Sequence, residues 1–312
     1  MNKNFLYIID PLTSLNLNTD TSVAIMEEAQ SRNITNYACE ISELFIKDGK
    51  CHMLCAPVYF DKQNQTIDYT QNKSVRSIDD FNVVFMRKDP PVDETFISAL
   101  WLLRAYDHKK TFMVNEPNGI LVANEKLFGL NIAHAYFSDT LIANNISIIK
   151  DFIKKHKKIV LKPINKSSGA GVLIFENTDK NLNSAIELLT LNNNFIVVQK
   201  YIENAQNGDK RILLLDGQIL GAILRTPHTS DYRANLHAGG SFSKALIAPK
   251  DREIINHLKP YLKNLGLHFV GLDIIEGYLT EINVTSPTTI RQIELLENIN
   301  LKAKIVDYVF KK

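Results

Sequence analysis

Three oxygen-bearing side chains lie near the C-terminus, inside a segment whose other residues resemble an apolar β-hairpin. Asp273, Glu281 and Asn283 belong to GLDIIEGYLTEINVTSPT, residues 271–288. Glu281 and Asn283 are two residues apart, so they share one face of a strand. Carboxylate and amide oxygens suit Mg²⁺, which usually takes one or two carboxylates and completes its shell with water and phosphate. The spacing therefore fits a Mg²⁺ site for a nucleoside triphosphate, and a solvated polar face is the alternative.

The turn of this hairpin decides whether Asp273 joins the same face. A two-residue turn at 276–277 pairs Asp273 with Thr280 and directs it away from Glu281. A three-residue loop over 276–278 pairs Asp273 with Glu281, and the glycine in that loop can take the left-handed conformation that such loops often need. Two opposed carboxylates destabilise a hairpin unless a cation removes their repulsion. The second register is the one that builds a metal site.

A site for nucleoside phosphates also needs lysines and backbone N–H groups. Lys162 ends the strand-like run KIVLKP and precedes NKSSGAGV, a loop of small residues that could wrap phosphate oxygens. The loop matches neither the Walker A nor the GxGxxG pattern. Lys126, in NEKLF, is a second candidate. Taken singly, each of these lysines is equally compatible with an ordinary surface residue.

Arginines that end apolar runs are candidates for binding a substrate carboxylate, because the guanidinium fork matches carboxylate geometry. Arg87 and Arg225 end such runs, and a structural ion pair is the alternative for each. Residues 225–244 follow with little periodicity. Segments of this kind are often active-site lids or else disordered.

The composition is that of an ordinary globular protein. The chain has 312 residues, of which 45% are hydrophobic and 22% charged, and its formal net charge is +2. This balance gives no reason to expect nucleic acid or a membrane as a partner, and apolar runs such as residues 5–9 are too short to span a bilayer. Cys39, Cys51 and Cys55 have neither disulfide-framework nor zinc-site spacing. We therefore expect reduced thiols and a cytoplasmic protein.

Strand and helix patterns alternate through the first third of the chain, which predicts a small parallel sheet covered by helices. Further along, strand-like runs follow one another, and Asp216-Gly217 between two apolar runs is a strong hairpin signal. We place a domain boundary near residue 120. The predicted fold is an α/β N-terminal lobe with a small parallel sheet, residues 1–120, followed by an α+β unit with antiparallel sheets, residues 121–312.

Several segments, taken in order, resemble those of one known family: FMRKDPP, NEKLF, the KP strand end, NGDKRILLLDGQ, RANLHAGG, FVGLDII and LTEINVTSPT. Together they are similar to prokaryotic glutathione synthetases, which are ATP-grasp ligases, and the resemblance covers nearly the whole chain. It implies an ATP-grasp fold with a central lobe at 121–200 and a C-terminal lobe at 201–312, whose lid is residues 226–240. It also implies that γ-glutamylcysteine is joined to glycine through an acyl phosphate, with ATP converted to ADP and phosphate.

The resemblance further implies roles for individual residues. Those expected to bind ATP, with the backbone of 199–202 at the adenine and Asp209 at the ribose, are Lys126, Lys162, Gly169, Gly171, Gln199, Lys200, Tyr201, Ile202 and Asp209. Asp273, Glu281 and Asn283 are expected to hold two Mg²⁺ ions, with Mn²⁺ as a substitute. Those expected to bind substrate are Arg87, Arg211, Arg225, Arg233, Gly239, Gly240 and Ser286, of which Arg211 and Arg225 would also be catalytic. A homo-oligomer, with a tetramer as the family's usual form, is expected by the same analogy.

The sequence departs from the family pattern in two loops. The phosphate loop NKSSGAG and the lid HTSDYRANLHAGG each carry fewer glycines than is usual. The contacts of the first loop with ATP and the ordering of the second are therefore open. Two rival functions are a related ATP-grasp ligase with another acid or amine, and a non-catalytic ATP-binding protein. Loss of a metal ligand or a phosphate lysine would favour the latter, and none is missing.

Overall fold

The computed structural model describes residues 3–166, 169–227 and 240–312. Arg233, Gly239 and most of the predicted lid lie outside these ranges. The α-helices are α1 (Thr21–Ser31), α2 (Glu94–Leu103), α3 (Pro117–Val122), α4 (Phe128–Ala133), α5 (Ile146–Ile153), α6 (Leu182–Leu189), α7 (Pro249–Asn264), α8 (Ile290–Glu297) and α9 (Leu301–Phe310).

The strands form three sheets. In chain order they are β1 (Asn4–Ile8), β2 (Thr35–Cys39), β3 (Leu44–Lys47), β4 (Lys50–Asp61), β5 (Thr66–Tyr69), β6 (Ser74–Ser77), β7 (Val83–Met86), β8 (Phe112–Val114), β9 (Thr140–Ala143), β10 (Lys158–Pro163), β11 (Leu173–Glu176), β12 (Ile196–Lys200), β13 (Asp209–Leu215), β14 (Gln218–Thr226), β15 (Ser241–Lys244), β16 (Phe269–Ile275) and β17 (Tyr278–Asn283).

The N-terminal sheet has the predicted parallel core, in which β1 lies between β2 and β7 and β7 pairs with β8. Its order is β3-β4-β2-β1-β7-β8, with β5 and β6 also paired to β4. The sheet is larger and more mixed than predicted, because β4 pairs antiparallel with β2, β3, β5 and β6. Burial alternates along most of β4, as expected for a strand with one face on the core.

Two helices of this lobe, α1 and α2, begin at side-chain caps. The Asp20 carboxylate accepts hydrogen bonds from the amides of Ser22 and Val23 at the start of α1. Asp93 accepts one from Phe96 at the start of α2. Each carboxylate satisfies amide groups that have no partner within their own helix, which sets where the helix begins.

The predicted antiparallel sheets are confirmed in the second half of the chain. One has the order β11-β10-β12-β9 and the other β15-β14-β13-β16-β17. β13 and β14 are joined at Asp216-Gly217, where both residues have positive φ, 51° and 69°. Two such residues make the tight hairpin turn that the sequence indicated.

Buried apolar side chains form three clusters. The first joins Leu6 and Val84 of the N-terminal sheet with Leu272 of β16, and the second joins Phe85 with Phe269. The third contains buried residues from 143 to 198 alone. The N-terminal and C-terminal sheets therefore share their cores, whereas the central sheet packs around a core of its own.

Asn115 ties the end of the first sheet to the last one. Its side chain is buried, donates Nδ2 to the carbonyls of Phe269 and Val284 at 2.7 Å each, and accepts from the Phe269 amide at 2.7 Å. All of these partners are backbone groups of β16 or of the segment after β17. One side chain thus fixes β8 against the C-terminal hairpin.

The three cysteines are free and buried, as predicted. Burial raises the pKa of Cys51 and of Cys55 to about 12, so both are thiols at neutral pH. Across the described ranges, every helix is too short or too polar to cross a bilayer.

Candidate active site

A cavity of about 660 Å³ lies between the central and C-terminal sheets. Its wall on the central side is apolar and includes Val160, Ile174 and Phe175, and its floor is polar. The predicted site residues that line it are Lys126, Lys162, Gly169, Gln199, Lys200, Tyr201, Ile202, Asp209, Arg211, Arg225, Asp273, Glu281, Asn283 and Ser286. Side chains far apart in sequence thus meet at one place.

The hairpin β16–β17 forms part of the floor, and Asp273 is paired with Glu281. This pairing is the one that the metal site requires, but the predicted three-residue loop is wrong. The turn has two residues, Glu276 and Gly277, with φ of 48° and 78°. Ile274 pairs with Leu279, so Thr280 is an extra residue in the strand, and this β-bulge restores the pairing that a two-residue turn alone would lose.

Asp273 is buried in a network of charges. Its Oδ1 and Oδ2 accept from Arg211, and Nη2 of Arg225 lies 3.1 Å from Oδ2. Arg225 also holds both oxygens of Asp209, at 2.6 and 2.7 Å. Burial alone would raise the pKa of Asp273, but the two arginines outweigh it and lower that pKa well below its usual value. For Asp209 burial prevails, and its pKa is raised.

Two of the lysines that line the cavity, Lys126 and Lys162, have side-chain contacts at its polar floor. Lys126 Nζ lies 3.1 Å from Oε1 of Glu281 and donates to the carbonyl of Lys166. Lys162, at the end of β10, donates to Oε1 of Gln199 at 2.9 Å. Burial lowers the pKa of Lys162, while the nearby Glu281 carboxylate opposes that shift. Both ammonium groups therefore lie at the polar floor, and that of Lys126 contacts the hairpin through Glu281.

Sequence reasoning missed Glu125, which also lines the cavity. Its Oε1 accepts from the amides of Val284 and Thr285 at 2.9 and 3.1 Å, and from Oγ1 of Thr285 at 2.9 Å. Burial, and then the neighbouring Glu281, raise its pKa. Its position next to Lys126 was the one available signal.

Three of the predicted residues that the structure describes do not line the cavity. Arg87 is buried, and its Nε donates to Oγ of Ser22 at 3.1 Å. Gly171 has a φ of 73°, and a Cβ there would lie 2.8 Å from Cγ of Pro163, so close packing explains the glycine. Gly240 precedes β15. Ser286, which does line the cavity, donates to the carbonyl of Arg87 at 3.2 Å.

The donor set of the hairpin fits a cation that is also held by phosphate. Within the described ranges, there is no group of three or more His, Cys, Asp or Glu side chains arranged to hold a metal. The hairpin offers two carboxylates and one amide, and Asn283 donates Nδ2 to the carbonyl of Gly271 at 3.2 Å, which leaves Oδ1 for a cation. So few protein ligands are typical of Mg²⁺ in nucleotide sites.

Comparison with solved structures identifies the fold. The fold is that of ATP-grasp ligases. It is similar to D-cycloserine synthetase DcsG over 98% of this chain and 99% of that one, with a TM-score of 0.69 and 14% identity. It is similar to ATP-grasp ligase PsnB, complexed with a minimal precursor, over 100% and 99%, with a TM-score of 0.66 and 16% identity.

Comparison of sequences identifies the family. Residues 4–120 match the prokaryotic glutathione synthetase N-terminal domain, and residues 125–298 match the prokaryotic glutathione synthetase ATP-grasp domain. The chain therefore belongs to the prokaryotic glutathione synthetase family. It is 38% identical to the glutathione synthetase of Nostoc sp., over 98% of this chain and 97% of that protein. It is 36% identical to that of Buchnera aphidicola subsp. Schizaphis graminum, over 97% and 95%.

These matches support glutathione synthetase function and confirm the resemblance found in the sequence. The chain is an ATP-dependent carboxylate–amine ligase that acts on small-molecule substrates and uses ATP with a divalent metal ion.

Proposed function

We propose that this cavity binds ATP with Mg²⁺ and joins γ-glutamylcysteine to glycine through an acyl phosphate. The observation that carries the proposal is the meeting of two lysines, two arginines and the three hairpin oxygen donors in one cavity of about 660 Å³. Each residue alone has an ordinary structural explanation, and their convergence does not.

ATP would lie with its adenine against the apolar wall and its phosphates over the hairpin. Val160 and Phe175 supply apolar surface, and residues 199–202, whose backbone would contact the adenine, also line the cavity. Lys126 and Lys162 would neutralise phosphate oxygens. Gly169 and Gly171 belong to the loop that would cover those phosphates. Asp209 would face the ribose from its place in the lining.

Asp273, Glu281 and Asn283 would hold two Mg²⁺ ions, with Mn²⁺ as an alternative. When bound, the cations would neutralise the charge that builds up on the transferring phosphoryl group. Arg211 and Arg225 lower the pKa of Asp273 and so keep it ionised, and the Lys126 ammonium lies 3.1 Å from Oε1 of Glu281. The hairpin is then ready to exchange ammonium and guanidinium partners for a metal.

The chemistry requires charge neutralisation and positioning more than a side-chain nucleophile. The dipeptide carboxylate would attack the γ-phosphorus of ATP, and ADP would leave. Glycine's amine would then attack the acyl carbon, and phosphate would leave as the amine loses a proton. Arg211 and Arg225 would orient the carboxylate and stabilise charge on the acyl phosphate. Those proposed to bind the rest of the substrates are Arg87, Arg233, Gly239, Gly240 and Ser286.

We also propose the domain organisation that the sequence predicted, with a boundary near residue 120 and a central lobe at 121–200. The separate apolar core within residues 143–198 supports such a lobe. A homo-oligomer, a tetramer by family analogy, and a cytoplasmic location complete the proposal.

One assay tests the reaction. The purified chain is incubated with ATP, Mg²⁺, γ-glutamylcysteine and glycine, and phosphate and glutathione are measured together. Equal amounts of both are expected. No glutathione, together with product from another acid–amine pair, would reject these substrates, and ATP binding without turnover of any pair would indicate a non-catalytic protein.

A further inference from the structure

Glu125 holds the hairpin segment that carries Asn283. Its carbonyl oxygen accepts from the amide of Ile282 at 3.0 Å, and its Oε1 accepts from the amide of Val284 at 2.9 Å. The residue between these two contacts is Asn283. One glutamate therefore fixes the backbone on both sides of a proposed metal ligand.

The same glutamate precedes Lys126 in the chain. The Lys126 ammonium lies 3.1 Å from Oε1 of Glu281, the other ligand on β17. A shift of Glu125 would consequently move the phosphate lysine and the metal-binding strand relative to each other. Among the described residues, Glu125 alone combines two properties. It accepts hydrogen bonds from the residues before and after Asn283, and it is adjacent in sequence to Lys126.

A second carboxylate beside Glu281 is unfavourable by itself, because like charges in a partly enclosed site repel each other. Oε1 of Glu125 accepts from three donors: two backbone amides and the hydroxyl of Thr285. Hydrogen bonds to an ionised acceptor are stronger than those between neutral groups, which offsets the repulsion. Glutamine has a similar size and no charge, and its amide oxygen could accept from the same donors without the repulsion. The position of the accepting oxygen is therefore the property on which the inference depends, and the negative charge is not.

We propose that Glu125 is a positioning residue that sets the geometry between the metal-binding strand and Lys126. It acts through Asn283 and Lys126 and not by touching the reacting atoms. The proposal rests on the metal assignment made under the proposed function. Residues that orient metal ligands typically contribute a factor of about 10–100 in metal affinity.

The test measures the affinity of the full chain for Mn²⁺ in the presence of saturating ADP. Electron paramagnetic resonance reports the free and bound Mn²⁺. Glu125→Ala is expected to weaken Mn²⁺ binding about 10–100-fold. Glu125→Gln keeps an acceptor oxygen and is expected to remain within about threefold of wild type. Glu294→Ala is the matched control, because Oε1 of Glu294 also accepts two consecutive amides, those of Leu301 and Lys302, away from the cavity.

The outcomes separate the two proposals. If wild type binds Mn²⁺ no more tightly than Glu281→Gln, the metal assignment itself is wrong. If that difference is present but Glu125→Ala matches wild type, the positioning role is wrong. If Glu125→Gln weakens Mn²⁺ binding as much as Glu125→Ala does, the effect is due to the lost charge. If Glu294→Ala weakens Mn²⁺ binding equally, the effect is due to general destabilisation. Both results overturn the proposal.

Thr285→Val decides the matter if Glu125→Ala does not fold. It removes the hydroxyl donor and leaves both backbone amides on Oε1. A weakening of Mn²⁺ binding by about fivefold, beyond the threefold margin set for Glu125→Gln, is expected for the loss of one hydrogen bond of the usual net strength. Unchanged affinity would reject the positioning role.

Discussion

Arg225 and Asp273 form a buried ion pair, with Nη2 3.1 Å from Oδ2, although the same guanidinium also holds Asp209 through two hydrogen bonds. One cation thus keeps two acids of the cavity floor at fixed positions. Removing it would leave the Asp209 carboxylate enclosed without these hydrogen bonds, and Asp273 with Arg211 alone. The pair is therefore a point where stability and the proposed chemistry depend on one side chain.

Arg225→Met should lower the free energy of unfolding by about 3–5 kcal/mol, the usual consequence of leaving a buried charge without its partner. Urea denaturation would measure it. Asp209→Asn in the same background should recover part of the loss, because it neutralises the carboxylate that loses its hydrogen bonds to Arg225, whereas Asp273 keeps those from Arg211. The control is Lys154→Met, since Lys154 pairs with Asp151 and both side chains are exposed, so the loss should be less than about 1 kcal/mol. Equal losses at both sites would contradict the prediction.

Glu281→Gln should reduce kcat at least about 100-fold while leaving the protein folded, because the amide keeps the shape of the side chain but not the charge that a cation needs. Glutathione formation and thermal unfolding would be measured on the same sample. Glu276→Gln, at the exposed tip of the same hairpin, should behave as wild type. Near-normal turnover in Glu281→Gln would refute its assignment as a metal ligand.

Asn115→Ala should destabilise the protein by about 3–6 kcal/mol, because three buried backbone groups of Phe269 and Val284 would lose their partner. Asn115→Asp should lower the stability at least as much, since a carboxylate cannot donate hydrogen bonds to the two carbonyls. Differential scanning calorimetry would detect the change. Asn64→Ala, in an exposed turn, provides a comparison in which the midpoint should barely move. A small effect at Asn115 would mean that water replaces the lost contacts.

His268 should make stability depend on pH. Burial lowers its pKa in the folded protein to about 4, although the nearby Asp216 opposes this, and Lys263 and Lys312 act with burial. The unfolded value is near 6.5. Because the unfolded chain binds the proton more readily between these values, the contribution is present above about pH 6.5 and is lost as pH falls toward 4.

The expected size of that loss is up to about 3 kcal/mol over the whole interval. Urea denaturation at pH 7.5, 6 and 5 would measure it in wild type and in His268→Gln. The variant should show a shallower pH dependence over this range, whatever its stability at pH 7.5. Parallel pH profiles would show that another group is responsible. Tyr308, whose hydroxyl lies 2.9 Å from Nδ1, provides a check, since Tyr308→Phe should preserve the slope.

The sequence identified the hairpin residues and nearly half of the residues that line the cavity, because residue type, the alternation of side chains along a strand and the family motifs are local properties. It failed where the structure depends on distant backbone. The bulge at Thr280 has no sequence marker, so the pairing of Asp273 with Glu281 was predicted for the wrong reason. Glu125 was passed over because its partners lie about 160 positions away.

The N-terminal sheet illustrates the same limit. Its parallel core was predicted from strand–helix alternation, but β3 to β6 were not. These strands come from a stretch where polar and apolar residues are mixed, and β4 gains its position by pairing with four other strands. The β-propensity of a segment reflects its own residues only. Strand pairing of this kind depends on tertiary contacts with other segments, so propensity does not predict it.

The separate core of the central sheet has a thermodynamic consequence. Because the buried cluster within residues 143–198 is distinct from the other two clusters, we expect the protein without nucleotide to unfold as two cooperative units with different melting temperatures. A nucleotide bound between the sheets contacts both units, so opening either one would release it. Saturating ATP analogue should therefore raise the lower transition and merge it with the upper one, turning two heat-absorption peaks into a single peak.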